Sequence, residues 1–242
     1  MSYVLQADMH THTLASTHAY STIRENCLYA AEYGLKAIAM TDHMVNMPDA
    51  PHIWHFENLK ALPRKINGVY VIKGAEVNIT DQDGALDIEQ SLSQKLEWIV
   101  ASMHKWTMSA GDYYSYTKAY LAVAKNPFID VIGHCTTAAF PFDMEKCLKA
   151  FKEYDKLVEI NESSILNKKG SRQNSIEVLK ICKKYDIPIV VDSDCHYCEA
   201  IGQTPAAFQL LEDNDFPERL VYNCRWDIIR DRIMKKHTNC EL

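Results

Sequence analysis

Short apolar runs of strand length alternate along the chain with stretches whose apolar residues recur at helical spacing. Runs at residues 3–9, 37–41, 69–75, 98–103, 131–133, 157–160 and 187–192 predict seven strands. Helical patterns occupy 22–33, 56–66, 112–125, 143–154, 171–185, 205–212 and 226–236. In the first of these, Ile23, Cys27, Ala30 and Ala31 share one face, and Gly34 supplies the stop. The segment 77–88 breaks the alternation, because Asp83-Gly84 between alternating residues predicts a small hairpin inserted after the third strand. Strand–helix repetition with no Gly/Ser-rich linker and no fixed-period repeat predicts one domain, residues 1–242. Its expected class is α/β, a distorted (β/α)7 TIM-like barrel with seven strands instead of eight.

Composition narrows the class without changing the fold. Of the 242 residues 47% are hydrophobic and 24% charged, which excludes a disordered, collagenous or coiled-coil chain. No apolar run reaches the roughly 18 residues of a membrane span, and the N-terminal residues carry no signal-peptide pattern, so a cytoplasmic protein is expected. A net charge of −6, from 26 Lys and Arg against 32 Asp and Glu, disfavours wholesale nucleic-acid binding while permitting a local positive site. The eight scattered cysteines read as free thiols, and Cys195-x-x-Cys198 lacks the context of a redox pair.

Ten histidines exceed what packing requires, and their positions carry the most information. The strands run into Asp8-Met9-His10-Thr11-His12, Thr41-Asp42-His43, Gly74-Ala75-Glu76, Ser102-Met103-His104, Ile132-Gly133-His134 and Ser193-Asp194-Cys195-His196. In a parallel barrel these ends converge on one mouth, and His18 in the first loop reaches the same place. His10-x-His12 and Asp194-x-His196 have the period-two spacing that turns both side chains one way. A metal cluster of His10, His12, His18, His43, Glu76, His104, His134, Asp194 and His196 is therefore expected. A single histidine at a strand end usually packs or caps, and His52, His55 and His237 are read that way.

The same residues resemble the PHP (polymerase and histidinol phosphatase) superfamily, most of all its compact YcdX-like phosphatases, over residues 8 to about 202. Asn161-Glu162-Ser163-Ser164 is similar to that subgroup's Asn-Asn-Ser-Ser, with Glu162 a departure; Lys105 departs too, where an acid is common. The resemblance implies one metal on His10, His12, Glu76 and Asp194, a second on Glu76, His104 and His134, and a third on His18, His43 and His196, with Glu76 bridging the first two. Such donors suit zinc above all, with manganese or iron as alternatives. Glu76, Asp194 and His196 would act catalytically through a metal-bound hydroxide.

Three divalent ions against two carboxylates leave the bare site at about +4, which selects an oxyanion. Two metals about 3.5–4 Å apart generate hydroxide while a third neutralises phosphoryl charge, so hydrolysis of a small phosphorylated metabolite is the expected reaction. Lys168, Lys169 and Arg172 are candidate phosphate contacts. His52, with Trp54, His55 and Phe56, either walls the pocket or packs as a loop. Asp8 and Asp42 either orient ligand imidazoles or cap strand ends. A non-catalytic metal-binding accessory domain, a phosphodiesterase or exonuclease, and an amidohydrolase compete with this reading. A homo-oligomer is compatible with it.

Overall fold

The computed structural model describes residues 3–237 and 242. Among these, the strands are β1 (Ala7–Thr11), β2 (Ala37–Met40), β3 (Lys65–Ile66), β4 (Val69–Asn78), β5 (Trp98–Ser102), β6 (Val131–Ile132), β7 (Leu157–Asn161) and β8 (Ile189–Asp192). The helices are α1 (Ile23–Glu32), α2 (Trp54–Glu57), α3 (Gln90–Ser93), α4 (Tyr113–Ala124), α5 (Met144–Glu153), α6 (Glu162–Asn167), α7 (Ser171–Tyr185), α8 (Pro205–Asp213) and α9 (Trp226–Lys236). Local chemistry sets their starts: at α1, Thr22 Oγ1 accepts from Glu25 N–H at 3.2 Å while the Glu25 carboxylate accepts from Thr22 N–H at 2.7 Å.

All seven predicted strands form and pair in parallel in the order β1-β2-β4-β5-β6-β7-β8, nearly closing a TIM-like barrel. β8 meets β1 only at its upper end, where Asp194 N–H donates to His10 O and His12 N–H to Cys195 O, each at 3.0 Å. Lower down, the buried amide of Asn223 stands in for the missing ladder. Its Nδ2 donates to Ala7 O (3.0 Å) and Val191 O (2.7 Å), and its Oδ1 accepts from Val191 N–H (3.0 Å). Because a sheet gap exposes backbone donors and acceptors, a side chain with both functions closes it at little cost.

Two expectations need correction. The helix predicted over 56–66 does not form as one; α2 and a 3-10 turn at Leu59–Ala61 give way to β3. Pro63 cannot donate within a helix, and Asn67 (φ 51°) and Gly68 (φ 83°) adopt the left-handed turn that folds β3 antiparallel onto β4. The hairpin predicted at 77–88 does form, but β4 runs into its first arm, with Ile79 bridging Leu86 and Asp81 Oδ1 accepting from Asp83 and Ala85 N–H.

Inside the barrel, Ala7, Met9, Ala37, Ala39, Ile72, Trp98, Val100, Val131, Leu157 and Val190 pack as one apolar cluster, and Ile229 and Ile233 of α9 join it. Upward from this floor the same faces turn polar: Ile72 is followed at period two by Glu76 and Asn78, Leu157 by Glu159 and Asn161, Val190 by Asp192 and Asp194. On β1 the register slips between Asp8 and Thr11, an extra residue on that strand. The slip lets Ala7 and Met9 join the apolar cluster while His10 and His12 also turn toward the axis.

Candidate metal centre

Glu76 is fully buried near the upper end of β4, and five imidazoles surround its carboxylate. His43 Nδ1 lies 2.6 Å and His134 Nε2 2.9 Å from it, His104 Nε2 3.4 Å, His10 Nε2 3.5 Å and His12 Nε2 3.7 Å. Asp194 extends the set, 3.1 Å from His12 Nε2 and 3.6 Å from His10 Nε2. His196 stacks on His12 and lies tilted against His18, both at 4.3 Å between ring centres, and His18 stacks on His43 at 5.3 Å. All nine expected residues thus gather at one mouth of the barrel.

Their grouping differs in part from the expected three sets. His10, His12 and Glu76 bring donor atoms within 4.8 Å of one another, as do His43, Glu76 and His104, then His12, His43 and His196, and also His18, His43 and Asp49. His43 therefore serves more than one group, and Asp49 enters a set from which the sequence omitted it.

Among the described residues three buried ring nitrogens of the cluster, His10 Nε2, His12 Nδ1 and His196 Nε2, have no hydrogen-bond partner, while His43 Nδ1 lies 2.6 Å from Glu76 Oε2. Burying a polar atom without a partner costs about 1–3 kcal/mol. Three such atoms beside a close imidazole–carboxylate pair fit cations that use their lone pairs, and nitrogen donors with a few carboxylates fit divalent transition metals. The electrostatics agree. Burial and the neighbouring His43 push His12 down to about 3, leaving a neutral ring with its lone pair free. Burial would raise the Glu76 and Asp194 carboxyls, but surrounding imidazoles hold both well below their usual range. His10 moves the other way, since the Glu159, Asp194 and Glu76 carboxylates outweigh its burial.

Outer partners fix the rings. His10 Nδ1 meets Glu159 Oε1 at 2.7 Å, His104 Nδ1 meets Asn78 Oδ1 at 2.8 Å, and His18 Nδ1 meets Asp49 Oδ2 at 2.7 Å, which leaves each Nε2 free for the centre. Glu159 also accepts His134 N–H at 2.5 Å. Two candidate ligands hold left-handed backbone, His134 at φ 24° and Asp194 at φ 53°, a strain of order 1–3 kcal/mol characteristic of functional sites. Glu159, Asn78 and Asp49 escaped the sequence reading; the one signal was a glutamate in the apolar run of β7.

The remaining candidates divide. Lys168, Lys169, Lys105 and Glu162 line a cleft of about 1310 Å³ over the cluster. Arg172 and His52 do not line it, and His52 Nδ1 instead accepts from Trp54 N–H at 3.3 Å at the start of α2. Phe56 is buried in the outer core, and His55 Nε2 reaches Asp42 Oδ2 at 3.1 Å. Asp42 also accepts from Thr13 and Ser16, and Asp8 from Ser193 and Gly202, so both pin loops rather than ligand imidazoles. Cys195 and Cys198 are buried free thiols, burial pushes Cys195 well up, and Cys240 lies outside the described residues.

A family profile described as PHP domain matches residues 8–163. A probable phosphatase of Clostridium novyi is 43% identical over 224 residues, 92% of this chain and 91% of that protein. Among solved structures, a histidinol phosphate phosphatase from Lactococcus lactis, complexed with zinc, L-histidinol and phosphate, aligns with a TM-score of 0.61 at 16% identity, covering 88% of this chain and 94% of that one. A chain in the cryo-EM structure of archaeal ribonuclease P with mature tRNA aligns with a TM-score of 0.59 at 15% identity, covering 97% and 94%. At these identities both structures speak for the shared fold alone.

Proposed function

The chain belongs to the PHP domain family, and from that premise we propose a metal-dependent phosphomonoesterase that hydrolyses a small phosphorylated metabolite at a trinuclear centre. One observation carries the reading: a single buried carboxylate, Glu76, has five imidazole nitrogens within 3.7 Å. The family's relatives named probable phosphatases support the reaction class, and a donor set of imidazoles with a few carboxylates supports zinc, with manganese or iron as alternatives.

His10, His12, Glu76 and Asp194 would hold one ion, Glu76, His104 and His134 a second, and His18, His43 and His196 a third, with His43 close enough to Glu76 to link the last two. Bound divalent ions supply an acidified water and positive charge against the phosphoryl oxygens. Glu159, Asn78 and Asp49 keep three rings turned with Nε2 inward, so reorganisation during reaction is small. In the hydrolysis a water oxygen bonds to phosphorus, the ester P–O bond breaks, and the departing alkoxide takes a proton, giving an alcohol and inorganic phosphate. Lys168, which lines the cleft, would contact an anionic oxygen of the substrate. No helix among the described residues is long and apolar enough to cross a membrane. One domain comprising residues 1–242, acting in the cytoplasm on a diffusible substrate, completes the proposal.

Elemental analysis of protein purified without chelator, paired with phosphate release from phenyl phosphate, is the test. Two to three transition-metal equivalents and chelator-sensitive release are expected. Activity in a metal-free sample would overturn the reading.

A further inference from the structure

The cleft over the imidazoles is larger than a phosphoryl group requires. Its volume of about 1310 Å³ exceeds the roughly 300–1,000 Å³ usual for small-ligand sites, which leaves room for a leaving group beside the phosphoryl. The lining has two characters. Trp106 (78% exposed), Tyr20 (72%) and Tyr197 (49%) form an aromatic rim, and Leu166 adds to it. Large apolar side chains left in water beside a site are a recognition surface more often than a packing residue.

The second character is charge. Lys105, Lys168 and Lys169 line the same cleft, and none of the three has an ion-pair partner among the described residues. Glu162 shares the wall, but its two oxygens are turned to Ala206 and Ala207 N–H, at 2.9 and 2.7 Å, so its charge is set against the first turn of α8 and away from a ligand. This carboxylate caps a helix. Three lysines at the mouth of an otherwise acidic protein, net charge −6, make a local positive field.

We infer that the preferred substrate is a phosphomonoester whose leaving group carries a second anionic group on an aromatic or similarly flat apolar body, and that an ammonium-bearing leaving group is disfavoured. The inference rests on the phosphomonoesterase reading and specifies its substrate class. The lysines attract the second anion, and the rim rings stack against the flat body.

Three esters of one ring isolate the charge: phenyl phosphate, 4-carboxyphenyl phosphate and 4-(aminomethyl)phenyl phosphate. With metal-loaded protein, kcat/KM should rise about tenfold from phenyl to carboxyphenyl and fall about as far for the aminomethyl ester, a steering-sized effect. The spread should shrink with added salt. In the Lys105→Gln/Lys168→Gln/Lys169→Gln variant the three values should converge. 4-Carboxyphenylphosphonate should also compete several-fold more tightly than 5-carboxypentylphosphonate, which reads the flat body. A flat or inverted ranking in the wild type, or a spread that salt does not reduce, would overturn the inference, whether or not the triple variant folds. If no ester were hydrolysed, the phosphomonoesterase reading would fall. Calorimetric binding of the carboxyphenyl and aminomethylphenyl phosphonates would still rank the two charges and decide this inference separately.

Discussion

Glu159→Gln tests whether a residue outside the ligand set organises the centre. Glu159 is fully buried on β7 and accepts twice, from His10 Nδ1 at 2.7 Å and from His134 N–H at 2.5 Å. Glutamine keeps the shape but has one acceptor oxygen and one NH2, so one of those two donors must face another donor. Leaving a buried donor unsatisfied costs about 1–3 kcal/mol. At about 3 °C per kcal/mol for a chain of this size, the melting midpoint of metal-free protein should drop by roughly 3–9 °C.

The sign of the pH dependence follows from His10, whose pKa in the folded protein is raised above its ordinary value because nearby carboxylates, Glu159 foremost, outweigh burial. Such a group contributes stability that is fully present below its unfolded pKa of about 6.5 and is lost as pH rises through the folded value. The gap between wild type and variant, both metal-free, should therefore be widest at pH 6 and narrow as pH rises. Metal affinity should weaken about 10–100-fold, the usual effect of removing a carboxylate behind a ligating histidine. Differential scanning calorimetry of chelator-treated protein and a metal titration followed by elemental analysis measure both. Unchanged midpoint and unchanged affinity would refute the argument that Glu159 holds His10 and His134.

Glu76→Gln removes the charge shared by five imidazoles, so metal content should fall and kcat drop by orders of magnitude, with more than KM affected; full activity at saturating substrate would place the chemistry elsewhere. His18→Ala should weaken one ion and be rescued by excess metal, and Asp49→Ala should produce a milder version of the same titration shift, since Asp49 contacts His18 at 2.7 Å. Gly133→Ala would put a Cβ 2.2 Å from Ser102 Oγ and 2.7 Å from Val100 Cγ1, forcing β5 and β6 apart beside His134. A loss of about 1–3 kcal/mol in urea denaturation is expected, partly restored by Ser102→Ala, and no recovery in the double variant would contradict the clash.

The ligand residues could be read from the chain because a parallel barrel converts strand ends into neighbours, whatever the loops do between them. His134 and Asp194 are 60 residues apart and end on one surface for that reason alone. Glu159 illustrates what that rule misses. It lies inside the apolar run Leu157–Asn161, where alternation says which side it faces but not what stands opposite. Its partner His10 is on β1, two strands along from β7 past β8, on the strand that carries an extra residue. Arg172 and His52 failed for the complementary reason. Both sit in or beside loops at the correct end of the barrel, yet a loop's direction depends on contacts such as the His52–Trp54 turn, which no periodicity encodes. The two departures from the family pattern part ways on the same principle. Glu162 is engaged by the first turn of α8, a tertiary contact invisible in sequence, while Lys105 stays at the cleft with no ion-pair partner among the described residues. A charge left over after the fold has satisfied its own groups is available to a ligand, and at this mouth the charges left over are positive.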